Sequence, residues 1–130
     1  MTAILIDTHI FLWMRTSPLR LSDRERDAIK TASARYVSIV SLWETGILIS
    51  LRRVAADDRF FLVPTGFELL TILPEHCVAV SSLPQRHRDP FDRMLIAQAK
   101  TENLVLITRD RAVAAYRSAG LSVFLPRSTR

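Results

Sequence analysis

The chain is predicted to fold as an α/β domain, three layers deep, with a central parallel sheet of four to five strands between helices. Two observations predict this. Short runs of almost purely apolar residues alternate along the chain with segments of helical pattern, which is the signature of crossover connections and a sheet covered on both faces. The length of 130 residues fits one such domain spanning 1–130, large enough to bury roughly two thirds of its unfolded surface.

The elements follow in order. Ala3-Ile4-Leu5-Ile6 reads as a buried strand stopping at Asp7. Ser22-Asp23 is a good helix start, and Asp23 to Ala34 is rich in helix formers. Tyr36-Val37-Ser38-Ile39 is a second strand, followed by a helix from Ser41 to Arg53. Phe67 to Leu73 reads as a short helix and Val78 to Val80 as a third strand. Asp89 to Thr101 is the clearest helix, with Asp89 as its cap and Pro90 in its first turn. Leu104-Val105-Leu106-Ile107 is the fourth strand. Arg111 to Ala119 forms a helix closed by Gly120, and Ser122 to Leu125 a last strand.

The composition narrows the function. Hydrophobic residues make up 48% of the chain, so global disorder is excluded. A formal net charge of +5 makes an anionic partner plausible, and nucleic acid is the commonest one for a basic domain. The lone Cys77 cannot form an internal disulfide and is expected as a buried core thiol. The apolar N-terminus carries Asp7 and His9, which suits neither a signal peptide nor a membrane span, and a cytoplasmic location is expected by default.

The acids carry the chemistry. Asp7 ends the first strand, and Asp110 lies just past the fourth. Asp89 and Asp92 open the helix after the third strand, and Glu44 falls in the first turn of the helix after the second. Ligands of open parallel sheets sit at the carboxyl ends of the strands, so four segments deliver a carboxylate to one edge. Carboxylates gathered in this way repel one another unless a hard cation neutralises them. Mg²⁺ or Mn²⁺ takes oxygen ligands and supports phosphodiester hydrolysis. Taken singly, each acid has an ordinary alternative as a helix cap, a turn residue or a solvated face.

These residues resemble a known family. Leu5-Ile6-Asp7-Thr8-His9-Ile10-Phe11-Leu12-Trp13 resembles the opening motif of the PIN-domain ribonucleases, and Ser38-Ile39-Val40-Ser41-Leu42-Trp43-Glu44 their second. The run from His87 through Asp89, Asp92 and Arg93 to Ala99 resembles the third, and Ile107-Thr108-Arg109-Asp110 the fourth. The form with Trp13, Trp43 and the Asp89-to-Arg93 run is most similar to the VapC-type toxins of bacterial toxin–antitoxin pairs. The resemblance implies a PIN-like fold and Mg²⁺- or Mn²⁺-dependent cleavage of RNA. Carried over by position, Asp7, Glu44, Asp92 and Asp110 are the catalytic, metal-binding acids, with Asp89 as a cap or an assistant. The resemblance also implies a homodimer held inactive by a cognate antitoxin.

Other residues have two readings each. Thr8, Arg93 and Thr108 are candidates for substrate contact; capping or pairing with a carboxylate is the alternative. His9 and His87 can touch substrate or be structural. Trp13 and Trp43 can stack on bases, but core packing is preferred. Phe60-Phe61-Leu62-Val63 is a candidate partner surface, with burial in the core preferred. The basic tail from Arg127 to Arg130 can make weak phosphate contacts. Two rival functions remain: a metal-dependent nuclease or phosphatase with another substrate, and a non-catalytic Mg²⁺-binding module. Aspartyl phosphatases pair acids two residues apart at the first strand, where this chain has His9. Receiver-like modules need a late lysine, and Lys100 lies within a helix.

Overall fold

The computed structural model describes residues 2–85, 88–120 and 123–124. Five strands form one all-parallel sheet in the order β3-β2-β1-β4-β5. They are β1 (Ala3–Ile6), β2 (Ala34–Ser38), β3 (Glu68–Leu70), β4 (Val105–Ile107) and β5 (Val123–Phe124). The helices are α1 (Thr8–Thr16), α2 (Asp23–Thr31), α3 (Ile39–Ser50), α4 (Pro74–Ser81), α5 (Pro90–Thr101) and α6 (Arg111–Ala114). Short 3-10 turns lie at Pro18–Arg20, Asp58–Phe61 and Ala115–Ala119. Among the described residues no helix is long and apolar enough to cross a membrane.

β1 is the central strand, and its side chains alternate between two cores. Leu5, with Leu106 of β4, packs against Leu95, Ile96 and Ala99 of α5 and against Tyr116. Ile4 and Ile6 face the other way, with Val37 and Ile107, onto Ile10 and Phe11 of α1 and onto Leu42 and Phe60. This period-two division makes the sheet the middle of three layers.

Side-chain caps set where the helices begin. Ser22 and Glu25 form a reciprocal capping box at α2. Ser38 caps α3 by accepting from Val40 N, so this helix starts two residues before Ser41 and Glu44 sits in its second turn rather than its first. Asp89 caps α5, as the sequence indicates, with Pro90 next in line. The sheet register continues one step past β1 through Asp7 N donating to Ile107 O. Asp7 then caps α1.

The stretch from 67 to 81 is a correction. The expected helix at Phe67–Leu73 contains β3, and the expected strand at Val78–Val80 lies inside α4. β3 is a three-residue edge strand whose side chains are half-exposed or exposed, so it has no apolar run to announce it. The Val78-Ala79-Val80 run resembles a strand only if Pro74 and Glu75, good first-turn residues for a helix, are passed over. Val78 is 67% exposed, and Cys77, expected in the core, is also exposed on α4. In the 60–63 segment only Phe60 is buried; Phe61, Leu62 and Val63 are exposed. The basic tail lies outside the described residues.

Candidate active site

β1, β2 and β4 each run directly into a helix start or a short loop before one, so the first turns of α1, α3 and α6 gather at the carboxyl edge of the sheet. Asp7 stands at the end of β1. It is 6% exposed, and its Oδ1 accepts from Ile10 N at 2.9 Å. Asp110 follows β4 and caps α6, accepting from Ala112 N at 2.9 Å. Asp89 Oδ1 accepts from Phe91 N at 2.9 Å and lies 3.4 Å from Asp92 N. Asp92 is thus the third residue of α5. Three of the four helix starts here use an aspartate as cap, and the macrodipoles favour negative charge there.

The electrostatics divide the acids into two groups, Asp7 with Asp110 and Glu44 with Asp89 and Asp92. Burial pushes the Asp7 carboxyl above its ordinary value; hydrogen bonds from Thr108 and Ile10 N and the nearby His9 oppose the rise, and the charge of Asp110 adds to it. Burial likewise pushes Glu44 up; a hydrogen bond from Thr8 and the nearby His9 oppose this, and Asp89 and Asp92 add to it. Among the described residues, buried Glu44 Oε1 has no hydrogen-bond partner. A buried carboxylate oxygen without a hydrogen bond carries a desolvation cost.

The donor set fits a hard divalent cation. The four candidate donors are all carboxylates, Asp7 and Glu44 are held above their ordinary pKa first by burial and then by neighbouring acids, and one oxygen of Glu44 lacks a partner among the described residues. Among the described residues no group of three or more His, Cys, Asp or Glu side chains stands close enough together to hold a metal ion by itself. This suits an ion such as Mg²⁺, which keeps several waters and takes only one or two carboxylates with oxygens of its substrate.

The candidate substrate residues resolve differently. Thr8 and Thr108 are buried, at 2% and 0% exposed. The Thr8 hydroxyl lies 3.0 Å from Ser41 Oγ, and Thr108 Oγ1 accepts from Asp110 N at 3.0 Å. With the hydrogen bonds they lend to Glu44 and Asp7, they support acids rather than reach for substrate. Arg93 also points inward. Its guanidinium donates to the carbonyls of Pro84 (2.8 Å), Val80 (3.3 Å) and Leu83 (3.4 Å), and lies 3.2 Å from the Tyr116 hydroxyl. It ties α5 to the end of α4 and to the loop that follows. His9 is exposed and acts on both Asp7 and Glu44. His87 lies outside the described residues. Trp43, expected in the core, is 59% exposed and meets Phe91 edge-on at 5.0 Å between ring centroids.

Two residue pairs escaped the sequence reading. Ser38 Oγ donates to Gln98 Oε1 at 2.6 Å, fully buried, tying the start of α3 to the middle of α5. Gln98 Nε2 donates to Thr71 O. A glutamine within the apolar face of α5 was the available signal. Arg109 grips the buried Glu25; the sequence reading singles out Ser22-Asp23 as a helix start and not this glutamate.

Comparison with known proteins agrees with this geometry. Ribonuclease VapC22 of Mycobacterium tuberculosis is 29% identical over 128 residues, covering 90% of this chain and 94% of the relative. The structure of VapBC2 from Rickettsia felis bound to a promoter DNA fragment superposes with a TM-score of 0.69 at 14% identity, covering 95% of this chain and 98% of that one. VapBC-5 from Mycobacterium tuberculosis, a member of the VapBC family of toxin–antitoxin systems, gives 0.66 at 19% identity, covering 98% and 100%. At these identities the solved structures establish a shared fold. The family model of the PIN domain matches residues 4–118, nearly the whole chain and all four acids, and the chain belongs to the PIN-domain family.

Proposed function

We propose that this protein is a metal-dependent endoribonuclease acting as the toxin of a bacterial toxin–antitoxin pair. The observation that carries the reading is the set of acids at the carboxyl edge of the sheet, with Asp7 and Glu44 raised by burial and Glu44 Oε1 without a hydrogen-bond partner among the described residues. The family and the relative named a ribonuclease support RNA as substrate. The basic whole chain, at +5, suits a polyanion.

Asp7, Glu44, Asp92 and Asp110 would hold Mg²⁺ or Mn²⁺. When bound, the cation supplies positive charge against the scissile phosphate and acidifies a water for attack. The chain's own residues do the rest. The helix-capping bond from Ile10 N and the support of Thr108 fix Asp7. The Thr8–Ser41 contact holds α1 to α3 beside Glu44. The Ser38–Gln98 bond keeps α3 and α5, the bearers of Glu44 and Asp92, in register.

A single domain over 1–130, a homodimer, a cognate antitoxin and a cytoplasmic location complete the proposal. The toxin–antitoxin neighbours support the antitoxin, and α3 with the 61–63 segment offers exposed apolar side chains for assembly. The test compares single-stranded RNA, single-stranded DNA of the same sequence and a phosphomonoester under Mg²⁺. Cleavage confined to RNA is expected; turnover of the phosphomonoester alone would replace the nuclease with a phosphatase. Expression alone should arrest bacterial growth, with relief by a protein encoded beside it.

A further inference from the structure

A strip of aromatic and cationic side chains leads away from the acids along α1. His9 and Trp13 lie four residues apart on one helix face, with ring centroids 6.1 Å apart. Two guanidinium groups lie over the Trp13 ring, Arg20 at 4.5 Å and Arg109 at 4.7 Å from its centroid. The strip adjoins the site, since Asp7 caps α1, the helix that carries His9 and Trp13, and Arg109 directly precedes Asp110, the cap of α6.

The two arginines are in different situations. Arg109 is fully engaged, by both oxygens of Glu25 and by the carbonyl of Arg20. Arg20 is exposed, and among the described residues its guanidinium meets the Trp13 ring and no carboxylate. Stacking occupies the π-face of a guanidinium and leaves its N–H edge free, the edge that forks onto phosphate oxygens. A polyanion cut at a cluster of carboxylates needs a cation beside them, because the acids themselves repel the phosphates that flank the cut.

We infer that Arg20, held on Trp13, contacts a phosphate of the single-stranded RNA flanking the cleaved bond. The inference rests on the nuclease reading above. It adds a substrate-binding residue outside the motifs that carry the acids.

The experiment measures binding of a mixed-sequence single-stranded RNA oligonucleotide to Asp92→Asn protein over a range of salt concentrations, and KM for the Asp92-bearing enzyme. Arg20→Gln should weaken binding several-fold and lower the slope of log affinity against log salt by about 0.7, one phosphate's share on a single strand. It should raise KM while leaving kcat in place. Arg20→Lys should restore the slope, and Arg53→Gln, at the far end of α3, should match the parent. An unchanged slope and KM in Arg20→Gln, or an equal loss in Arg53→Gln, overturns the inference and leaves the nuclease reading standing. Failure of the parent protein both to bind and to cut RNA overturns both.

Discussion

Arg109 donates through Nε at 2.7 Å and through Nη2 to the two carboxylate oxygens of Glu25, joining the loop before α6 to the first turn of α2 across 84 residues of sequence. Glu25 is fully buried. The same glutamate accepts from Ser22 N at 2.7 Å, so one carboxylate both caps α2 and anchors the loop that carries Asp110.

That relationship predicts an acid-sensitive contribution to stability. Burial pushes the Glu25 carboxyl up, but the bonds from Arg109 and Ser22 outweigh it and the net shift is downward from 4.5. A lowered folded-state pKa stabilises the protein above the unfolded value and loses that effect as pH falls through the lowered one. Glu25→Gln should therefore cost about 1–3 kcal/mol at neutral pH. The gap from wild type should close in acid. Thermal melts at pH 7 and pH 3 check this, and a gap that widens in acid would contradict it.

Asp7 should behave in the opposite sense. Its folded-state pKa is raised above 3.8, so the cost of its charge is absent in acid and grows as pH rises through the raised value. Asparagine keeps the cap to Ile10 N and removes the charge. Asp7→Asn should melt a few degrees higher than wild type at pH 7 without metal, if the relief is about 1 kcal/mol. The gain should vanish at low pH and narrow or reverse with saturating Mg²⁺, which the wild type binds more tightly. A strongly destabilised Asp7→Asn would make Asp7 a structural residue.

Arg93 separates packing from substrate binding. Arg93→Met leaves the carbonyls at the end of α4 without their cationic donor, which should cost about 2–4 kcal/mol. KM for RNA should not change per folded molecule. A raised KM with an unchanged melting temperature would restore Arg93 to the substrate.

The sequence made the central strands and their acids legible because β1 and β4 are apolar runs covered on both faces, each followed by an aspartate. Asp89-Pro90 fixed α5 for the same local reason: cap and first-turn chemistry are written in adjacent residues. The edge was not legible. β3 is short and half-exposed, and it is a strand only because Tyr36, Val37 and Ser38 of β2 pair with it. Thr8, Thr108 and Arg93 look like ligand-binding types, and only the fold shows their polar atoms committed to neighbours. Trp43 sits in an apolar stretch, yet α3 turns it outward. The Glu25–Arg109 and Ser38–Gln98 bonds join residues 84 and 60 apart, a separation at which local patterns are silent.

Asp89 and Asp92 should part in a cleavage assay. Asp89 and Asp92 both act on the charge of Glu44, but Asp89 also spends its Oδ1 on the cap of α5. Asp92→Asn should abolish RNA cleavage with little loss of stability. Asp89→Asn should reduce cleavage less, since asparagine caps nearly as well. Equal activity of wild type and Asp92→Asn would show the third acid to be misplaced.

The most direct measurement is cleavage of single-stranded RNA by the purified protein with Mg²⁺ or Mn²⁺, with excess EDTA, and with metal restored. Carboxylates alone cannot stabilise the charge that builds on a phosphate under attack. The predicted result is cleavage with metal, none in EDTA, and recovery when metal is added back. Undiminished cleavage in EDTA would contradict the metal-dependent mechanism outright.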